Sequence, residues 1–181
     1  MYVLPLTPHP LLLTCQTGTL MRKLAILILG LLTAACGFQL RGQATFPFES
    51  LYINAADTSA FATELKRAVR AGSNTRLSDN PKDAQAILQV VNEVREKQIL
   101  SLGGGGTVRE FELRLHITFR LQDNKGQDWI PQTEIVLKRD FSFNDTQVLA
   151  KESEEALLFK DMQSDAVQQV MRRLSAVKVP S

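Results

Sequence analysis

The chain has 181 residues, 21 Lys and Arg against 19 Asp and Glu, two His and two Cys, with 44% of its residues apolar. That length suits one domain with a core of its own, and a charged fraction of 22% excludes both a disordered chain and an integral helical membrane protein. A formal charge of +2 gives no reason to expect nucleic acid, and two cysteines are too few for a disulfide framework or a thiolate-rich zinc site.

Residues 1–35 differ from the rest. Every acidic side chain lies beyond them, and their only basic ones are Arg22 and Lys23. These follow Met21 and precede an uncharged apolar run from Leu24 that ends in Thr33-Ala34-Ala35-Cys36. A positive start, an apolar stretch and small residues at a break are the parts of a secretory signal peptide. Leu24–Ala35 has 12 residues, short of the ~20 that a membrane-spanning helix needs. Residues 1–20 carry Pro5, Pro8 and Pro10 and no charge, so they read as surplus upstream sequence, with translation expected from Met21. Residues 21–35 are then the signal peptide.

The passage into Cys36 resembles a bacterial lipoprotein signal, the lipobox. That resemblance implies diacylglycerol on the Cys36 thiol, cleavage before it, and acylation of the new amino group. Gly37 follows where lipoproteins retained at the inner membrane typically carry Asp, which implies the outer membrane with the domain facing the periplasm. Cleavage would leave 181 − 35 = 146 residues with 21 − 2 = 19 basic and 19 acidic side chains, a single His, His116, and no free thiol. Thiol catalysis and Cys/His metal centres are thereby nearly excluded, so no metal and no cofactor is expected.

Residues 36–49 lack periodicity and contain Pro47, which suggests a linker. Its 15 steps from Cys36 to Leu51 reach at most about 50 Å. Residues 50–177 form the expected domain, and 178–181 a tail. Leu51-Tyr52-Ile53 reads as a strand ended by Asn54. Asp57, Thr58 and Ser59 offer N-cap oxygens for a helix whose apolar face is Phe61, Leu65, Ala68 and Val69, with Gly72 as its stop. Lys66, Arg67 and Arg70 suit the negative end of its dipole. After Asp79-Asn80-Pro81 a strand begins near Ala84 and continues to Leu102 with increasingly polar character. Gly103–Gly106 join it to a strand in which Phe111, Leu113, Leu115, Ile117, Phe119 and Leu121 alternate with charged and polar residues. Asp123–Gly126 is a turn. A further strand runs through Ile135, Val136 and Leu137 to Phe143, with Pro131 near its start. A long helix from about Gln147 to Ala176 carries the stripe Phe159, Met162, Ala166, Val170 and Leu174, widened by Val167 and Met171. The order β-α-β-β-β-α predicts an α+β two-layer sandwich, a four-stranded mixed sheet with both helices on one face.

Gly103, Gly104, Gly105 and Gly106 join two strands rather than a strand and a helix, so they read as a flexible hairpin tip that can reach a partner, not a phosphate cradle. Glu110 and Glu112 stand about 7 Å apart on one strand face, but Arg109, Arg114 and Arg120 neutralise them, and His116 has no partner for nucleophilic catalysis. No catalytic residue is assigned and no enzyme is expected. Lys138, Arg139 and Lys151 bracket the passage into the last helix and suit anionic phosphates.

Cys36-Gly-Phe-Gln-Leu-Arg-Gly42 resembles the mature start of the lipopolysaccharide-assembly lipoprotein family LptE. Arg139–Asn144, Leu149–Glu155, Asp161-Met162 and Met171–Leu174 are similar to the approach and final helix of that family. The resemblance implies a non-enzymatic subunit that plugs the outer-membrane β-barrel LptD in a one-to-one complex, helps assemble it, and delivers lipopolysaccharide to the outer leaflet. Lys151, Arg139 and Arg109 become the candidate lipopolysaccharide contacts. The alternatives are an auxiliary lipoprotein of an ABC-type lipid transport system and a periplasmic lipid-modifying enzyme.

Overall fold

The computed structural model describes residues 44–179, together with Arg22 and Lys23 of the leading segment. The upstream extension, the rest of the signal peptide, Cys36 and the last two residues lie outside the described residues.

Five strands form one sheet in the order β2-β1-β3-β4-β5. They are β1 (Ser50–Asn54), β2 (Arg76–Leu77), β3 (Ala86–Leu102), β4 (Val108–Asp123) and β5 (Asp128–Ser142). Two helices, α1 (Ala60–Gly72) and α2 (Val148–Ser175), complete the domain. β1 runs parallel to both β2 and β3, whereas β3, β4 and β5 form antiparallel pairs. The α+β class, the mixed sheet and the two helices agree with expectation, but the sheet has five strands, not four. The addition is β2, only two residues long. Too short to show alternation, it is held from outside itself. Arg76 N–H donates to Glu49 O at 2.9 Å, Ser78 N–H donates to Leu51 O at 2.9 Å, and Thr75 Oγ1 donates to Phe48 O at 2.9 Å.

The segment read as a linker also belongs partly to the fold. Phe46 and Phe48 are buried in the core, with the Phe48 ring 6.0 Å from that of Trp129 and tilted by 34° to it. Ala44 N–H donates to Gly72 O at 2.7 Å. Two phenylalanines flanking a proline carry no helical or strand period, so burial is their only signal.

Ser59 is the N-cap chosen from the three candidates. Its Oγ accepts from Ala62 N–H at 2.9 Å and donates to Glu93 Oε2 at 2.6 Å. Ser59→Ala removes both bonds, and urea unfolding should show a loss of about 1–2 kcal/mol; an unchanged midpoint would contradict the capping role. Phe61, Ala62, Leu65 and Val69 of α1, and Phe159, Met162, Ala166, Val167, Val170 and Leu174 of α2, bury their apolar faces on one side of the sheet. They meet Leu51 and Ile53 of β1, Ala86 and Leu88 of β3, and Leu113 through Leu121 at alternate positions of β4. Among the described residues, no helix lies on the opposite sheet face. The helices run parallel: Glu64 accepts from Gln163 and Ser164, each at 2.6 Å, and Gly72 meets the Met171 methyl.

A register shift between Val90 and Asn92 changes the long β3. Before it, Ala86 and Leu88 face the core; beyond it, Glu93, Arg95 and Lys97 stand opposite Ile117, Leu115 and Leu113 on the helix side. A single extra residue flips the facing of all that follow.

Candidate functional site

The hairpin β3–β4 extends past the start of α1, and its far end lies beside the end of β5 and the first turns of α2. Gly103 N–H donates to Thr107 O at 2.8 Å, which closes the tip. Gly105 and Gly106 adopt φ of +81° and +82°, a left-handed backbone that glycine accepts without steric cost. Gly103 is needed for space instead. A Cβ there would stand 2.5 Å from Nε of Arg109, so that side chain crosses directly over the glycine. The four glycines therefore do two jobs, turning the chain and seating Arg109.

Below the tip an aromatic cluster ties the hairpin to the chain leaving β5. Phe111 lies 5.8 Å from Phe141 and 5.1 Å, edge to face, from Phe143. Phe143 N–H donates to Arg109 O at 2.8 Å. Lys97 Nζ stands 4.3 Å from the Phe111 centroid, with Phe141 and Phe143 at 5.6 and 5.8 Å. Glu155 of α2 accepts from the same ammonium at 2.5 Å. A cation over three aromatic faces gains from their quadrupoles, and the carboxylate neutralises what remains.

Lys151 donates to Ser142 Oγ at 3.2 Å and to Glu154 Oε2 at 2.8 Å. Glu155, one helical turn beyond Lys151, is taken by Lys97 instead. Because Ser142 adjoins Phe143, which is bonded to Arg109, Lys151 and Arg109 share the tip end. Arg139 lies three strand positions earlier, opposite Leu113, and pairs with Asp165 at 2.8 Å. The candidate cations thus divide into two at the tip and one on the flank of α2. Around the first two, Ile99, Leu100, Leu102 and Leu149 are exposed, Leu149 by 80%. Exposed apolar side chains next to cations make this end amphipathic.

Lys97 is the residue that sequence reasoning missed. Its strand carried a polar tail with no visible facing, and the shift at Val91 that turns Lys97 onto the aromatics leaves no periodic signature. The aromatic spacing Phe111, Phe141, Phe143 was the available signal for a cation partner.

On the open sheet face, Lys138, Arg114 and Glu96 lie in one cross-strand row. Arg114 pairs with Glu112, and Ser101 Oγ donates to Glu110 at 2.8 Å. His116 Nδ1 lies 2.8 Å from Glu134, with Glu96 at 3.8 Å from Nε2. Arg120 donates twice to Gln89 Oε1, at 2.8 and 2.6 Å. The face is a mesh of charged and polar side chains, most of them bonded to one another, and among the described residues no cluster of metal-ligating side chains occurs. No helix among the described residues is long and apolar enough to cross a membrane.

Similar proteins place this architecture. The chain is 31% identical over 162 residues to the LPS-assembly lipoprotein LptE of Yersinia enterocolitica, an alignment covering 86% of this chain and 77% of that one. The corresponding protein of Yersinia pestis is 29% identical, over 88% of this chain and 75% of its own. Among solved structures, an uncharacterized lipoprotein B from Nitrosomonas europaea superposes with a TM-score of 0.68 at 42% identity, covering 77% of this chain and 91% of that one. Rare lipoprotein B from Shewanella oneidensis shares the fold with a TM-score of 0.62 at 22% identity, over 71% of this chain and 95% of its own. The family model LptE, described as lipopolysaccharide-assembly, matches residues 48–174, and the chain belongs to that family.

Proposed function

We propose that this protein is a non-enzymatic outer-membrane lipoprotein that plugs an LptD-type β-barrel one-to-one, helps assemble it and supports delivery of lipopolysaccharide to the outer leaflet. Cys36 carries the S-diacylglycerol and N-acyl groups, and the domain faces the periplasm with part of its surface inside the barrel lumen. The observation that carries the reading is the open sheet face. It is broad, bears no helix among the described residues and is mixed in sign, with most of its charges bonded to polar neighbours, as a surface should be that lies against the polar wall of a hydrated barrel. An apolar open face would have pointed to a lipid-facing or dimeric surface.

At the tip, Arg109 and Lys151 offer the cations for lipid A phosphates, Arg as a bidentate donor and Lys as a point charge. The exposed Ile99, Leu100, Leu102 and Leu149 lie where acyl chains would follow. Arg139 serves this role only by releasing Asp165. Gly103–Gly106 form the loop that reaches the partner.

Affinity purification of the chain from membranes tests the plug: a stable one-to-one complex with a large outer-membrane barrel is expected. Recovery alone or with an ABC permease would overturn it. Arg109→Glu and Lys151→Gln are each expected to weaken lipopolysaccharide binding about tenfold, the scale of one charge-assisted contact. Thermal unfolding should stay near wild type, because Arg109 is exposed and Gln at 151 keeps an amide N–H that can donate to Ser142 in place of the ammonium. Unchanged binding in both would remove the site assignment and leave the plug.

A further inference from the structure

The end of the domain opposite the hairpin tip has a different character. α1 and α2 run parallel, so both C-termini lie there, and the last turns contain Arg70 in one and Arg172 and Arg173 in the other. Arg67 precedes them by one turn of α1, Arg76 starts the neighbouring β2, and Lys178 follows α2. Between residues 65 and 78, and again from 166 to the end of the chain, there is no acidic residue. Among the described residues, none of these six cations forms an ion pair; Arg173 is turned inward over Phe119, and the other five are exposed. Of the cations toward the other end, Lys97 is paired with Glu155, Arg139 with Asp165 and Lys151 with Glu154, while Arg109 has no ion pair among the described residues. The acids that lie at the basic end, such as Asp79, Asp83, Asp123 and Asp128, belong to the strand ends and loops of the sheet layer. Two helix dipoles explain some of the cation preference, but not Arg76 or the absence of any acid over both stretches.

The chain enters the fold at this same end. Ala44 N–H is bonded to Gly72 O, the last residue of α1. Eight residue steps separate Ala44 from Cys36, a reach of at most about 29 Å. The burial of Phe46 and Phe48 therefore shortens the tether to little more than half of the ~50 Å that a linker running to Leu51 would allow. A short tether, ending beside five exposed cations, holds them near whatever bears the anchor. The 17 residues of β3 carry the hairpin tip away from this end by about 55 Å.

We propose that the helical C-terminal end, with Arg67, Arg70, Arg76, Arg172 and Lys178, docks on the anionic phospholipid surface of the leaflet that holds the Cys36 anchor. This rests on the reading of Cys36 as the anchor. It deepens the proposed function by orienting the domain, with basic end on the headgroups and hairpin tip directed away from them into the barrel. The occupant is a lipid surface rather than a single phosphate ligand, because the five exposed cations spread over two helix ends and a strand with no enclosing pocket among the described residues. Such a surface attracts each nearby Lys or Arg independently, changing binding about fivefold per residue, and is screened by salt.

The test uses the full chain with Cys36→Ser, so that acylation does not mask the electrostatic contact, and measures co-sedimentation with phosphatidylcholine vesicles with and without phosphatidylglycerol. Binding is expected only with phosphatidylglycerol, and high salt should abolish it. Adding Arg67→Glu, Arg70→Glu and Arg172→Glu should weaken it at least about 100-fold. Adding Arg114→Glu, Lys138→Glu and Lys160→Glu instead, an equal change of charge away from that end at residues given no part in lipid binding, should leave it within about threefold of the parent. Equal losses in both triple variants would overturn the proposal, since net charge alone would then account for binding. Salt-insensitive binding, or no binding of the parent to phosphatidylglycerol vesicles, would overturn it even if a triple variant failed to fold. Loss of binding to lipopolysaccharide micelles, but not to phosphatidylglycerol vesicles, on reversal of the helical end would make this the lipopolysaccharide site and equally overturn it. The mass of the wild-type mature amino terminus tests the anchor separately: an unacylated Cys36 removes the tether while leaving the vesicle result to stand or fall alone.

Discussion

Phe119→Ala is expected to lower the unfolding free energy by about 3–5 kcal/mol, the range for truncating a buried aromatic. Phe119 is fully buried at the centre of β4, opposite Val90 on one side and Thr133 on the other. It also lies beneath Arg173, whose guanidinium stands 5.8 Å from its ring. Truncation therefore opens a cavity between sheet and helix and removes the aromatic face under a cation. Nη1 of that arginine is buried with no hydrogen-bond partner, so the ring is the compensation it has. Strands β3 and β5 are both bonded to β4, so a collapse that closed the cavity would have to shift both neighbours, which favours the upper part of the range. A melting temperature about 10–20 °C lower is the expected readout, and a fall of only 2–3 °C would show that the site relaxes freely.

Cys36→Ser is expected to have the largest effect on where the protein resides. Each acyl methylene buried in a bilayer contributes about 0.8 kcal/mol, and one chain alone gives only marginal attachment. Three chains on one residue give firm anchoring, and serine can accept none of them through sulfur. Labelled palmitate should enter the wild-type protein and not the variant. In detergent phase partition the wild type should follow the detergent and the variant the water. A variant that still partitions into detergent would show that the anchor lies elsewhere in the chain. Phase partition of the purified protein is preferred to cell fractionation, because both barrel binding and the basic helical end would hold an unacylated chain at the membrane.

These two positions illustrate how unevenly the molecule could be read from its residues. The alternation from Phe111 to Leu121 set β4 and its buried face: five of those six side chains are fully buried, and Phe111 is half-buried. The stripe on α2 and the face of α1 were legible for the same reason, since period 3.6 with an apolar stripe has one stable use in a two-layer fold. β2 was not legible, because two residues contain no period and their pairing depends on Glu49 and Leu51 of another segment. Phe46 and Phe48 were not legible either, since a linker and a packed arm differ only in what lies beside them.

The candidate site followed the same division. Arg109 and Lys151 were named from charge and position, and they do lie at one end of the domain. Arg139, adjacent to Lys138 in the chain, is drawn instead to Asp165 on α2, because alternate residues of a strand face opposite sides. Lys97 entered the tip through the one-residue shift at Val91, which reverses every side chain beyond it.

The family resemblance and the amphipathic faces were legible in the order of residues, because each is written in short-range order: a motif around Cys36 and periods of 2 and 3.6. The signal and the acylation of Cys36 are expected on the same kind of ground, charge before an apolar run and small residues before a cysteine. Only the tertiary structure decided which cations are neutralised and which are unpaired. It paired Lys97, Arg139 and Lys151 with acids up to 58 residues away, turned Arg173 onto Phe119, and left Arg67, Arg70, Arg76, Arg172 and Lys178 exposed without an ion pair among the described residues. Ion pairing is set by distance in space, which the order of residues does not encode. The near-balance of 21 basic and 19 acidic side chains therefore conceals a domain whose two ends differ, one amphipathic with most of its cations paired, the other basic with its exposed cations in no ion pair among the described residues.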